Sequence, residues 1–378
     1  MAGQVTESPV RASAPEYQGA LGSLSVNASL PEVLDRGVQE LRAAEEAGDA
    51  GEAARCGLAV AEACRRLGRV EEADRAWKAS FRAARSAGHE GAMAWALWSG
   101  GTLARQRGAL RLAYRLLGLA AEAGERGGDV VVRGYSLAGL AETGRIQGDY
   151  EAVGRLHEQL LAEARRRGEA RHTVWALEGI AQMHRNTGSY DRALALFEEA
   201  ADTAARAEDR RGWAWALRGI ADVVSVRDGD VERALSLLTR AEEACREVRL
   251  AGALAYNHKM RGNVLYRAGR YAEARELYVR ALEEFRAMEE PRGTALSRLG
   301  LVKADARLGR DAAHTSAELA ALRTTLDRIG LRHARDMVDK AAAELGLTPL
   351  PVEAGKAGTV RPEVGVAALR KADVEGLR

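Results

Sequence analysis

Seven glycines, Gly68, Gly108, Gly148, Gly188, Gly229, Gly269 and Gly309, follow one another at intervals of 40, 40, 40, 41, 40 and 40 residues. Spacing of that kind marks a repeat array and confines the chain to architectures built by stacking one unit on the next. The text between the glycines keeps the same period. Residues 173–212 read TVWALEGIAQMHRNTG and then SYDRALALFEEAADTAARAEDRRG, with a break at Thr187-Gly188-Ser189. Each half carries the apolar spacing of a helix of about 15 residues. Forty residues on, Trp175, Leu177, Gly179, Ile180 and Ala181 recur as Trp215, Leu217, Gly219, Ile220 and Ala221. Forty residues back stand Tyr135, Leu137, Gly139, Leu140 and Ala141, preceded by Trp95 and Leu97.

Seven helix pairs follow, each hinged at one of the glycines, because glycine takes the positive φ that closes a helix. In the second helix of the pairs small residues recur at Ala73, Ala113, Ala193, Ala234 and Ala274, and again at Ala120, Ala200, Ala241 and Ala281. Small side chains let helices approach, and Trp77, Leu117, Phe197, Leu238 and Tyr278 supply the bulk between them. The third pair departs from this with Val153, His157 and Leu160, and His157 is expected to be a structural residue with a hydrogen-bond partner. Residues 1–30 lack a helical period and read as a disordered arm. Pro31 opens a lone capping helix over residues 31–47. The seventh pair loses the pattern after Gly309, with His314 where alanine is expected, and residues 331–345 form a last capping helix. The repeat domain thus spans 31–346, and 347–378, with Pro349, Pro351, Pro362, Gly355 and Gly358, is a flexible tail holding at most a short helix over 364–377.

The unit beginning at Leu254 ties the array to a family. Gly262, Leu265, Gly269, Tyr271, Ala274, Tyr278 and Ala281 stand at the signature spacing of the tetratricopeptide repeat, and Gly188, Tyr190, Ala193, Phe197 and Ala200 repeat it in part. The chain resembles that family over roughly residues 50–346, in a longer-helix variety, since the usual period is 34 residues. The resemblance implies an all-α fold, a right-handed superhelical solenoid of about seven antiparallel helix pairs with capping helices. It also implies that the first helices line a concave surface that contacts ligands.

Charge and composition narrow the functions open to such an array. With 56 basic against 54 acidic residues the net charge is +2, which gives no whole-chain basic excess for nucleic acid, so none is expected as a partner. No apolar run is long enough to span a bilayer and the first residues have no secretory pattern, so a cytoplasmic protein without a membrane partner is expected. Cys56 and Cys64 lie eight residues apart on one helix. That puts their Cα atoms about 12 Å apart, too far for a disulfide. Lysine stands only at Lys78, Lys259, Lys303, Lys340, Lys356 and Lys371, an arginine bias of the kind a high-GC, actinobacterial genome produces. Phosphate-loop, dinucleotide, zinc-protease and serine-hydrolase motifs are missing, and the histidines pair with no second ligand at helical spacing. Neither a cofactor nor a metal is expected.

On the helical wheel of the 173–188 pattern, Leu177, Ile180, Ala181 and His184 share the core side, and Ala176, Gly179 and Met183 make a small face for the preceding unit. Trp175, Glu178, Gln182 and Arg185 fall elsewhere, at the positions that the resemblance assigns to the concave surface. Carried through the array, they form three rails. The aromatic rail is Trp95, Tyr135, Trp175, Trp215 and Tyr256, with Trp98 beside its start. The middle rail is Thr102, Glu142, Gln182, Asp222 and Asn263, and the third is Arg105, Arg145 and Arg185. Rings, guanidinium forks and carboxylates together suit a peptide or a flat, partly polar ligand. The rings are equally suited to packing on the previous unit, so both placements stand open. The family's carboxylate clamp is matched at Lys259 and Asn263, but Leu299 and Lys303 stand where its next pair needs asparagine, and no clamp is expected. Three functions follow: a scaffold that holds a protein or peptide partner in the groove, a sensor acting through a separate effector, or a biosynthetic enzyme using Glu142, Arg145 and Arg185. The first accords best with the repeat and the missing motifs.

Overall fold

The computed structural model describes residues 30–147, 150–329, 331–347 and 350. The arm before Leu30, the turn at Gly148, most of the tail and the short helix over 364–377 lie outside the described residues. Sixteen helices and no strand are found among those described. A capping helix α1 (Leu30–Glu46) precedes the pairs α2 (Ala50–Arg66) with α3 (Val70–Ser86), and α4 (Glu90–Gln106) with α5 (Leu110–Arg126). The middle pairs are α6 (Val130–Gln147) with α7 (Tyr150–Arg167), α8 (Ala170–Asn186) with α9 (Tyr190–Arg206), and α10 (Arg210–Arg227) with α11 (Val231–Glu247). Then come α12 (Ala251–Arg267) with α13 (Tyr271–Ala287), α14 (Pro291–Arg307) with α15 (Ala312–Ile329), and the last cap α16 (Arg332–Glu344). The chain is an all-α solenoid of seven antiparallel pairs between two caps, the right-handed superhelix that the repeat implies.

The period has a simple origin. Most helices are 17 residues long and are separated by three turn residues, so a turn falls every twenty residues. The single interval of 41 comes from α10, which has 18 residues. At Gly68, φ is +79°, Gly68 N–H donates to Arg65 O at 3.2 Å and Arg69 N–H to Cys64 O at 2.8 Å. This left-handed cap satisfies the last carbonyls of α2 and reverses the chain. The turns between units use the same geometry, with Gly48, Gly88, Gly128 and Gly168 in the first half. Further on the position is held by Glu208 (φ 55°), Arg249 (φ 50°) and Glu289 (φ 48°), side chains that take this conformation only at a cost.

Packing follows the small residues. Ala73, Ala113, Ala193, Ala234 and Ala274 are all buried, with 0% or 1% exposure, where second helices meet their neighbours. The first helices α4, α6, α8, α10 and α14 each press a glycine onto a bulky side chain of the preceding unit: a Cβ at Gly219 would overlap the Phe197 ring, and one at Gly300 the Tyr278 ring. His157 fills the equivalent slot against Gly179. Its ring is wholly buried and neither nitrogen has a hydrogen-bond partner, so the expected partner is missing and the residue serves as a space-filler. Burial pulls its pKa down to about 4, which keeps it neutral.

The superhelix is wound tightly enough for its late units to touch its early ones. Gly68 packs against Met288 and Gly108 against Pro291, and Arg107 pairs with Glu289 at 3.4 Å. Leu110 and Ile146 share an apolar cluster with Leu296, Leu299, Leu319 and Val338 of α14, α15 and α16. Leu30, 1% exposed, joins the cluster that holds Val248 and Leu250. This non-periodic seam converts an open trough into a narrow chamber walled by the first helices.

Two substitutions separate the packing term from the turn term. Gly219→Ala inserts a methyl group into the Phe197 contact and should cost about 1–3 kcal/mol in urea denaturation. Arg249→Gly relieves the left-handed turn and should add about 1 kcal/mol. Equal effects of one sign would contradict this account.

Candidate functional site

The chamber is a cavity of ≈ 160 Å³ whose lining comes from α2, α4, α6, α8 and α10, with Phe197 and Met260 completing the wall. Among the residues singled out by the sequence, it is lined by Trp98, Thr102, Arg105, Tyr135, Glu142, Arg145, Trp175, Gln182, Trp215 and Asp222. Trp95, Arg185, Tyr256 and Asn263 stand outside that lining.

The aromatic rail divides along its length. Trp95 has no exposed surface, its Nε1 donates to Asp129 Oδ2 at 3.0 Å, and its ring meets Trp98 and Tyr135 at centroid distances of 5.3 Å. It is core. Trp98 and Tyr135 are also nearly buried, at 3% and 2%, but each turns an edge to the cavity. The Trp98 Nε1–H has no acceptor. Trp175 and Trp215 are partly exposed, Trp175 contacts Tyr135 edge-on at 6.1 Å, and the Trp215 Nε1–H is likewise without a partner. Tyr256 is occupied elsewhere: its ring abuts Phe285 at 4.6 Å and its hydroxyl lies 3.3 Å from both Glu290 and Arg292.

The polar rails sort themselves into ion pairs. Arg145 grips Glu142 through two hydrogen bonds of 2.7 and 2.6 Å, and Arg105 lies 3.9 Å away. Burial alone would raise the Glu142 pKa, but the Arg145 and Arg105 cations outweigh it and hold the carboxyl at about 2. A carboxylate so held is a counter-ion to the Arg145 and Arg105 guanidinium groups. Asp222 binds Arg185 at 2.6 Å and Arg267 at 2.8 Å. Asn263 Oδ1 accepts from the Tyr278 hydroxyl at 3.0 Å, and burial brings the Lys259 pKa down to about 7. That pair stands outside the cavity lining.

The residues that sequence reasoning passed over are cations in the first turns of helices. Arg171 opens α8 and Arg211 opens α10, forty residues apart. Arg171 Cζ lies 5.1 Å from the Tyr135 ring centroid and Arg211 Cζ 5.0 Å from that of Trp215, with Arg218 on Trp215 at 5.2 Å. These stacks are cation–π contacts in place of ion pairs. In all, six arginines against four carboxylates line the cavity. One of the four, Glu178, has an Oε1 atom without a partner, and burial away from bulk water pushes its pKa well above the usual carboxylate range. The signal was available: a basic side chain in a helix's first turn opposes the macrodipole and needs another reason to be there.

An array of helix pairs whose leading helices enclose a mixed aromatic and cationic cavity belongs to the α-solenoid binding proteins in form. Tetratricopeptide repeat profiles match residues 172–247 and 255–287. The chain is a tetratricopeptide repeat protein. No curated protein matches it in sequence. Among solved structures it is similar to a Rap protein complexed with Competence and Sporulation Factor, with a TM-score of 0.54 and 14% identity over 84% of this chain and 97% of that one. Aspartyl phosphate phosphatase F from Bacillus subtilis has a TM-score of 0.45 and 12% identity over 87% and 97% of the two chains. Yeast Tom70 has a TM-score of 0.45 and 15% identity over 78% and 64%. The likeness to the Rap protein is one of fold. No described helix is long and apolar enough to cross a membrane, and no described group of three His, Cys, Asp or Glu side chains could hold a metal.

Trp95→Ala should cost about 3–5 kcal/mol of stability, because the indole is core. Glu178→Gln tests the chamber's electrostatics. The folded pKa of Glu178 lies above its unfolded value of about 4.3, so the ionised group lowers stability as pH rises past the latter. Denaturation at pH 5 and pH 8 should show Glu178→Gln gaining more at pH 8; a gain independent of pH would refute the assignment.

Proposed function

We propose that this protein is a non-catalytic scaffold that takes up an extended peptide segment of a partner protein along its concave inner surface. The observation that carries this reading is the convergence of Tyr135, Trp175 and Trp215 with guanidinium groups from five helices on one cavity. Rings supply a rigid apolar surface at little entropic cost, and arginine forks orient carboxylates and carbonyls. A cavity of ≈ 160 Å³ is too small for a folded domain, and an extended segment suits it better. We take the protein to act in the cytoplasm, where the buried thiols of Cys56, Cys64 and Cys245 stay reduced.

A sensory role for the same chamber is the second reading. It is supported by the Rap protein of similar fold, which was crystallised with Competence and Sporulation Factor bound. In that case peptide uptake biases the seam between α14–α16 and α4–α6, and a separate effector reads the result.

Panning a random heptapeptide display library on the immobilised full chain, followed by tryptophan fluorescence titration, tests both. Binding should change the emission of Trp175 and Trp215, and Trp215→Ala should weaken it at least tenfold with little loss of melting temperature. Unchanged affinity in Trp215→Ala would remove the chamber from consideration.

A further inference from the structure

Three arginines of the chamber lining, Arg65, Arg171 and Arg211, stand near a fourth, Arg66, buried behind the lining, with too few carboxylates to balance them. Arg65 and Arg66 close α2, and Arg171 and Arg211 open α8 and α10. Glu62 is the carboxylate beside them on α2, and it is already committed: Arg65 takes both its oxygens at 3.0 and 2.7 Å and Ser99 donates to it at 2.7 Å. Arg66 is left 3.7 Å from Glu62, with a side chain 3% exposed and no hydrogen bond from any of its three guanidinium nitrogens. Of the two other carboxylates nearby, Asp209 caps α10 by accepting from Gly212 N–H at 2.9 Å, and Glu178 makes no ion pair with a described guanidinium and is held toward its neutral form by burial. Arg171 and Arg211 make no ion pair with a described carboxylate and lie over the rings of Tyr135 and Trp215.

Such a cluster opposes folding on three counts. Like charges repel, burial penalises each of them, and two sit on the positive ends of helices. Burial, only partly offset by Glu62, brings the Arg66 pKa to about 9, with Arg171, Arg211 and Arg65 pressing it further down. A buried guanidinium with every donor idle costs stability unless a ligand satisfies it. The ring stacks hold the neighbouring forks in place, and a fork offers paired N–H donors matched to carboxylate or phosphate oxygens. The unpartnered Trp98 Nε1–H adds a neutral donor to the same cavity.

We propose that the end of the chamber lined by Arg65, Arg171 and Arg211, with Arg66 buried behind it, is an anion site, which takes a carboxylate or phosphate group of the ligand. The proposal rests on the chamber being the ligand site and names the chemistry it selects: the ligand enters with its anionic group leading, and its apolar part lies along Trp175 and Trp215.

Melting of the full chain in sodium phosphate and in sodium glutarate, each compared with sodium chloride at equal ionic strength, reads the site without a known ligand. At least one anion should raise the melting temperature in a dose-dependent way. The double variant Arg171→Gln/Arg211→Gln should lose most of that shift while its unliganded melting temperature stays level or rises, since two cations leave the positive ends of helices. Arg240→Gln, an exposed guanidinium over Trp213, should keep the full shift. A larger response to phosphate identifies a phosphoryl group, and one to glutarate a carboxylate. No shift from either anion, or an equal shift in the double variant, overturns the site. A peptide selected by panning that binds as well after amidation of its carboxyl groups also overturns it, and leaves peptide uptake standing. A preserved anion shift with no peptide bound supports the site and removes only the peptide.

Discussion

The close approach of five of the first helices to the bulky side chain behind them is the contact on which the rest of this structure depends. Gly219 on Phe197 and Gly300 on Tyr278 set how far one unit turns against the last. Repeated with helices of constant length, a constant turn makes a superhelix. Helix length and cap geometry fix the period, and the glycine contact fixes the curvature. Together they bring the leading helices to the inside and carry α14–α16 round to α4–α6. The chamber is a by-product of that geometry.

Inside it, the charges divide into those that hold the wall and those that face the space. Glu142 with Arg145, and Asp222 with Arg185 and Arg267, are closed pairs at normal hydrogen-bond distance. The first pair lies within α6 and reaches the neighbouring α4 through Arg105, whereas Asp222 ties α10 to α8 and α12. Arg171, Arg211 and Arg218 rest on rings and keep their donors open. Stacking is weaker than an ion pair and leaves the edge of the guanidinium plane available. The same aromatic positions that close the core at Trp95 support arginines further on at Trp215.

The sequence made the array legible because its strongest signals are periodic. Gly68 through Gly309 marked the turns within pairs, and the wheel of residues 173–188 placed Gly179 against the preceding unit, where it meets His157. The turns between units escaped notice because Glu208, Arg249 and Glu289 break the glycine series there. What is not periodic could not be read at all. The seam joins Gly68 to Met288 and Leu110 to Leu296, residues with no common spacing, and only the accumulated curvature brings them together. For the same reason the aromatic rail could not be sorted in advance. Trp95 and Trp175 are equivalent in register, yet one is sealed against Asp129 and its neighbours and the other borders a cavity. Arg171 and Arg211 were visible but went unread, because a basic residue on a helix surface ordinarily needs no explanation.

The seam also alters how such a chain comes apart. In an open solenoid each unit leans only on its neighbours, so the ends fray first and unfolding proceeds inward by steps. Here Leu30 of the first helix is held by the cluster around Leu250, and α16 rests against the end of α6 through Ile146. The termini are clamped by the middle of the chain. Loss of either end therefore strips contacts from units far along the sequence, and the array melts as one cooperative body.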